Sequence, residues 1–118
     1  MNNKIDKFNE MCGMWDFRNI DMTKPHLSSI EIKNNTIFLY CEIFSPALDD
    51  YIDCYACKIK DKELLKMFKN LDLSDNSAVS DMIGYFEMEI DWDLVSDKLS
   101  EKLEKEIDKV GKENLFDY

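Results

Sequence analysis

The run "LSSIEIKNNTIFLYCEIF", Leu27 to Phe44, restricts the fold more than any other stretch of this chain. Ile30 and Ile32 alternate with polar residues, as on a strand with one wet face. Asn34-Asn35 then offers a two-residue turn, because asparagine tolerates positive φ. The returning run, Thr36 to Phe44, is apolar at both parities. That predicts a central strand covered on both faces.

The next segment, "SPALDDYIDCYACKI", reads two ways. Ser45-Pro46 is a helix-start signature, and Leu48, Tyr51, Ile52 and Tyr55 keep helical spacing. The aromatic and β-branched residues from Tyr51 to Ile59 suit a strand better, so a turn followed by a strand is the preferred reading. Upstream, Ile5, Phe8, Met11 and Cys12 predict an amphipathic helix over Asn3 to Trp15, weakened at its end by Gly13. Downstream, Asp61 caps a short helix whose apolar face is Leu64, Leu65, Phe68 and Leu71. "DLSDNSAVSDMIG" reads as a loop with at most one helical turn. "YFEMEIDW" reads as a strand by its alternation. Asp91 or Asp93 then caps a long last helix with the stripe Val95, Leu99, Leu103, Ile107 and Val110. The expected architecture is α+β in a single domain, residues 1–118, with a small, mostly antiparallel sheet and helices packed on it.

Charge narrows the function. The chain has 25 acids against 15 bases, a formal net charge of −10. Residues 75–118 hold 13 acids and 5 bases, so most of the negative field belongs to the C-terminal third. Such a field repels nucleic acid and anionic membranes and attracts basic partners. The N-terminus shows no secretory h-region and no run has the length of a membrane span. The expected location is the cytoplasm, with the four cysteines as thiols.

No motif names a reaction or a cofactor. Cys54 and Cys57 form a C-x-x-C, but a zinc site needs a second pair, and Cys12 and Cys41 are isolated. On a regular strand, positions three apart lie roughly 10 Å apart on opposite faces. The pair therefore reads as structural thiols. The single histidine, His26, follows Pro25 and reads as a surface residue. Glu31 and Lys33, with Asp21 upstream, resemble half of a magnesium-nuclease pattern. The other half is missing, and the net charge opposes binding DNA.

The remaining feature is "YFEMEIDWD". Read as a strand, it aligns Glu87, Glu89, Asp91 and Asp93 on one face, with alternate side chains roughly 6.6–6.8 Å apart. Carboxylates so spread do not share one ion, whose ligands must lie within about 2.6 Å of it. A solvated strand face usually mixes lysine with glutamate, and this one does not. The row reads either as the wet face of a strand whose edge is protected by charge or, if its uniform sign is put to use, as a docking ladder for a basic partner, with Tyr85 and Tyr118 as aromatic anchors, joined by Trp15 or Tyr51 where exposed.

In size and charge the chain resembles bacterial immunity proteins, which protect a cell from its own or its neighbours' toxins. The expected function is therefore a non-enzymatic inhibitor that covers the active site of a basic toxin or nuclease. Three rival readings stand beside it. One is a nucleic-acid mimic that blocks a host defence protein. Another is a metal-dependent hydrolase built on Asp21, Glu31 and Lys33. The last is a structural subunit that forms a homo-oligomer.

Overall fold

The computed structural model describes residues 2–13 and 21–110. Element order is α1 (Asn2–Cys12), β1 (His26–Lys33), β2 (Thr36–Ser45), β3 (Asp50–Ile59), α2 (Lys62–Lys69), α3 (Asn76–Glu87) and α4 (Trp92–Val110). The three strands form one antiparallel sheet in the order β1-β2-β3, so the fold is α+β with β2 at its centre.

The hairpin forms as its turn residues require. Asn34 and Asn35 take φ of 51° and 59°, the left-handed pair of a tight hairpin turn. Lys33 then pairs with Thr36, and Ile30 with Leu39. The segment that read two ways is a turn followed by a strand. Leu48 N–H donates to Ser45 Oγ in the turn, and Asp49 takes a positive φ of 52°.

The helices pack on one face of the sheet. Ile30, Ile37, Leu39, Cys41, Ile52 and Ile59 supply its buried side. Above them three phenylalanines meet, one from each of α1, α2 and α3. Phe8 lies 5.2 Å from Phe68 and 5.9 Å from Phe86, both edge-on, and all three rings are fully buried. Each such pair adds about 0.5–1.5 kcal/mol beyond its burial. Val95 and Leu99 of α4 complete the core.

The second face of β2 differs from the expected burial. Phe38, Tyr40 and Phe44 are only half-buried there, and Tyr51 and Tyr55 of β3 are exposed. These rings shield one another instead. Tyr55 sits between Phe38 and Tyr40, and Phe44 lies 5.1 Å from Tyr51.

Helix side chains engage both outer edges of the sheet. At β1, the Asn9 amide donates to the Ile30 carbonyl and accepts from the Ile30 N–H, at 3.1 and 2.9 Å. It stands where a fourth strand would. Leu27 N–H donates to Glu87 Oε2 of α3 at 3.1 Å. At β3, the Lys98 and Lys102 ammonium groups of α4 donate to the carbonyls of Tyr55 and Asp53. Unpaired edge groups invite strand addition, and these contacts oppose it.

Two readings of the sequence need correction. "DLSDNSAVSDMIG" is mostly helix, and "YFEMEIDW" is not a strand. Asp75 caps α3 by accepting from Ala78 N–H, and the helix runs to Glu87 with Val79, Met82, Ile83 and Phe86 buried. Those four positions follow i, i+3, i+4, i+7, the spacing of one helical stripe. The alternation of Phe86, Met88, Ile90 and Trp92 is broken in space, because Met88 is 81% exposed while Phe86 and Ile90 are buried. Asp91 caps α4, its Oδ1 accepting from Leu94 N–H.

Two substitutions check this account. Gly84 lies inside α3, and a Cβ there meets no atom within 4 Å. Gly84→Ala is expected to stabilise the protein by about 0.5–1 kcal/mol in urea unfolding, since glycine costs that much in a helix interior. On the loop reading of residues 72–84 alanine offers no such helical gain. Asn9→Ala is expected to cost about 1–3 kcal/mol, because it strands the Ile30 amide beside a helix. An unchanged midpoint with an unchanged slope would contradict the edge role of Asn9.

Candidate protein-interaction surface

The corner between α3 and α4 carries most of the residues singled out in the sequence. Glu87 closes α3, Met88 and Glu89 form a turn, and Asp91 and Asp93 open α4. Their roles divide. Glu87 is half-buried and turned inward to hold Leu27 of β1. Asp91 is exposed but serves as the helix cap. Glu89 and Asp93 are exposed, and none of the ion pairs among the described residues involves Glu89, Asp91 or Asp93. The carboxylates therefore cluster on a bent helical corner rather than in an evenly spaced ladder. Tyr118 and Trp15 lie outside the described residues.

Apolar groups sit among these acids. Met88 is 81% exposed and Leu94 47%. Scattered exposed apolar residues are ordinary, but here two bound a seven-residue run, Met88 to Leu94, that holds three acids and no base. The turn is anchored from below. Ile90 is buried in the core, and the Cys57 thiol donates to the Glu89 carbonyl. The corner is thus a supported surface.

Tyr85, 44% exposed, points away from Glu87 into a groove of about 530 Å³ between α2 and α3. Ala78, Asp81, Met82 and Tyr85 form one wall. Lys66, Met67 and Asn70 form much of the other, with Glu63 and Asp72 also at its lining. Its floor is apolar and its charged lining has three carboxylates to one ammonium. Asp72 also closes a local turn. Hydrogen bonds from Ser74, side chain first and backbone second, hold its carboxyl below the usual range. That contribution is fully present above the ordinary aspartate value and is lost as the pH falls through the lower folded-state value. Asp72 therefore stays ionised at neutral pH.

The other candidates resolve as follows. β3 bulges where Tyr55 pairs with Tyr40 and Cys57 with Leu39, leaving Ala56 as an extra residue. The expectation that Cys54 and Cys57 point to opposite faces assumed a regular strand, and this insertion breaks the alternation. Both thiols are half-buried and near Lys98, and burial pushes both above the ordinary thiol value. None of the four cysteines is disulfide-bonded. His26, expected at the surface, is buried because it opens β1 directly against Glu42 of the central strand. Its Nδ1 lies 3.0 Å from the Lys24 carbonyl, and its Nε2 lies 3.8 Å from a Glu42 oxygen. Glu31 and Lys33 pair with each other at 3.2 Å, while Asp21 accepts from Thr23. Among the described residues no three His, Cys, Asp or Glu side chains gather as a metal site requires.

The aromatic face of the sheet was missed as a surface in its own right. On it Glu31 pairs with Lys33 and Asp53 with Lys102, and Glu42 lies 3.8 Å from the buried His26. Burial, and then the neighbouring Glu31 carboxylate, push the Tyr40 hydroxyl above its ordinary value. The acidic corner has no such internal answer.

Among the described residues, no helix is long and apolar enough to cross a membrane. Compared with protein-family models, curated proteins and solved structures, the chain gives no match.

The division of labour at the corner can be measured. Glu87→Ala should cost about 1–3 kcal/mol, the usual penalty for a part-buried donor left without its acceptor. Glu89→Ala and Asp93→Ala should stay within about 0.5 kcal/mol of the parent. Equal effects at all three would contradict the inward role of Glu87. Thiol labelling checks the cysteines. Iodoacetamide at mildly alkaline pH should leave Cys12 and Cys41 unmodified in the folded protein. Cys54 and Cys57 should react more slowly than thiols of an unfolded peptide. Rapid modification of all four would contradict the burial described.

Proposed function

We propose that this chain is a small binding protein that neutralises a basic protein, a toxin or nuclease, by covering the site where that protein holds its anionic substrate. One observation carries the reading. At the α3–α4 corner Glu89, Asp91 and Asp93 are exposed around Met88 and Leu94, with no ion pair to them among the described residues. A charged patch left unanswered on its own surface is suited to a partner of opposite sign, and the net charge of −10 extends its reach. The apolar groups give the contact a dry centre, and the carboxylates give it a rim. The nucleic-acid mimic reading drew on the same row of carboxylates as the inhibitor reading, and that row is a bent corner rather than an even ladder.

The test is association with a basic partner recovered by co-expression with the neighbouring gene or from the native cell. Glu89→Ser, Asp91→Ser and Asp93→Ser are combined. Serine at position 91 keeps a cap for α4, and Glu87 is left in place to hold β1. Association should slow by about tenfold at low salt, and the difference should shrink near physiological ionic strength, where screening acts within about 8–10 Å. A triple variant that associates at the parent rate at low salt would overturn the proposal.

A further inference from the structure

The groove between α2 and α3 has a shape that selects among basic partners. Ala78, Asp81, Met82 and Tyr85 stand at i, i+3, i+4 and i+7, and so do Glu63, Lys66, Met67 and Asn70. Each wall is thus two turns of one helix face, about 10 Å long. Two such walls leave the place of a third helix, whose side chains would interdigitate with theirs. Met67 and Tyr85 are exposed at the groove although both are large and apolar in body. Methionine adapts to a range of packed shapes, and tyrosine anchors interfaces. The charged lining is Glu63, Asp72 and Asp81 against Lys66.

We infer that the groove receives a basic amphipathic helix of the partner, two to three turns long, with apolar residues against Met67, Met82 and Tyr85 and lysines or arginines along the rim. The inference rests on the proposed function and deepens it by stating what the basic partner presents. Charge decides against a second copy of this chain as occupant, because its C-terminal third carries the same excess of acid. It also decides against a nucleic acid or an anionic lipid. The groove adjoins the acidic corner through Tyr85, which stands three residues before Met88 on the chain, so one partner surface can engage both.

Methionine methyl groups report the two surfaces separately. Met67 and Met82 line the groove, and Met88 lies at the corner. The full chain, labelled at its methionine methyls, is titrated with a designed 14-residue helical peptide of leucines at i, i+3, i+4, i+7 and lysines elsewhere. Signals are assigned with Met67→Leu, Met82→Leu and Met88→Leu. Saturable shifts of Met67 and Met82 are expected. A version with glutamates for lysines, and a version with a central proline, should each bind at least about tenfold more weakly. Ala78→Gln fills the groove without adding charge and should weaken binding by about tenfold, with an unchanged circular dichroism spectrum. Shifts confined to Met88 would overturn the groove while leaving the acidic corner and the proposed function standing. Equal binding of the proline or the glutamate peptide would overturn the helix or the charge component. Self-association that moves Met67 and Met82 without peptide would assign the groove to a second copy and overturn the inference. No shift at any methionine would overturn it as well. The proposed function would then stand or fall on the partner-association test alone.

Discussion

A three-stranded sheet has two edges for only one interior strand, so its outer backbone groups decide much of what the rest of the chain must do. Here those groups draw on helix side chains. Asn9 meets both polar groups of Ile30, Glu87 meets the Leu27 amide, and Lys98 and Lys102 meet carbonyls of β3. Each contact also fixes a helix against a strand. α1 and α3 are held on the β1 side and α4 on the β3 side, and the phenylalanines Phe8, Phe68 and Phe86 then tie α1, α2 and α3 together. The edge contacts and the core thus specify the same arrangement, and that agreement across levels favours a single structure.

Local signals made most of this legible in the sequence. Asn34-Asn35 gave a turn because the residue type suits positive φ, and Asp61 gave a helix start because its carboxylate accepts the amides of Glu63 and Leu64. The failure at residues 76–93 has a physical cause. Phe86 and Ile90 belong to different elements, one ending α3 and the other seated in the connection before α4, and both reach the core. Met88 between them happens to be apolar, so two unrelated anchors looked like one alternating strand. Meanwhile the stripe Val79, Met82, Ile83, Phe86 was masked by Gly84 and by the polar run Ser74 to Ser77, which resemble a loop. The inward use of Glu87 left no trace in its neighbours, because its partner lies 60 residues away. The α2–α3 groove is likewise a product of tertiary packing.

The correction changes the character of the proposed site more than its location. A strand ladder would have offered evenly spaced charge and an edge for strand addition. A helical corner beside a groove offers a patch of acid around apolar centres, with the sheet edges already engaged from within. On the aromatic sheet face, by contrast, Glu31 and Asp53 each meet a lysine of the same molecule, and Glu42 lies against the buried His26. The α3–α4 corner holds three exposed carboxylates with no ion pair among the described residues, and binding by helices rather than by β-strand pairing is what the arrangement favours.

Hydrogen exchange of the protein alone and in complex with its basic partner tests that claim most directly. The Leu27 and Ile30 amides should already exchange slowly in the free protein and change little on binding. New protection should appear across α2, α3 and the start of α4. Fast exchange at Leu27 and Ile30 in the free protein, with protection of β1 or β3 gained only in the complex, would mean that the partner adds a strand to an open edge, and would contradict binding through the helical side.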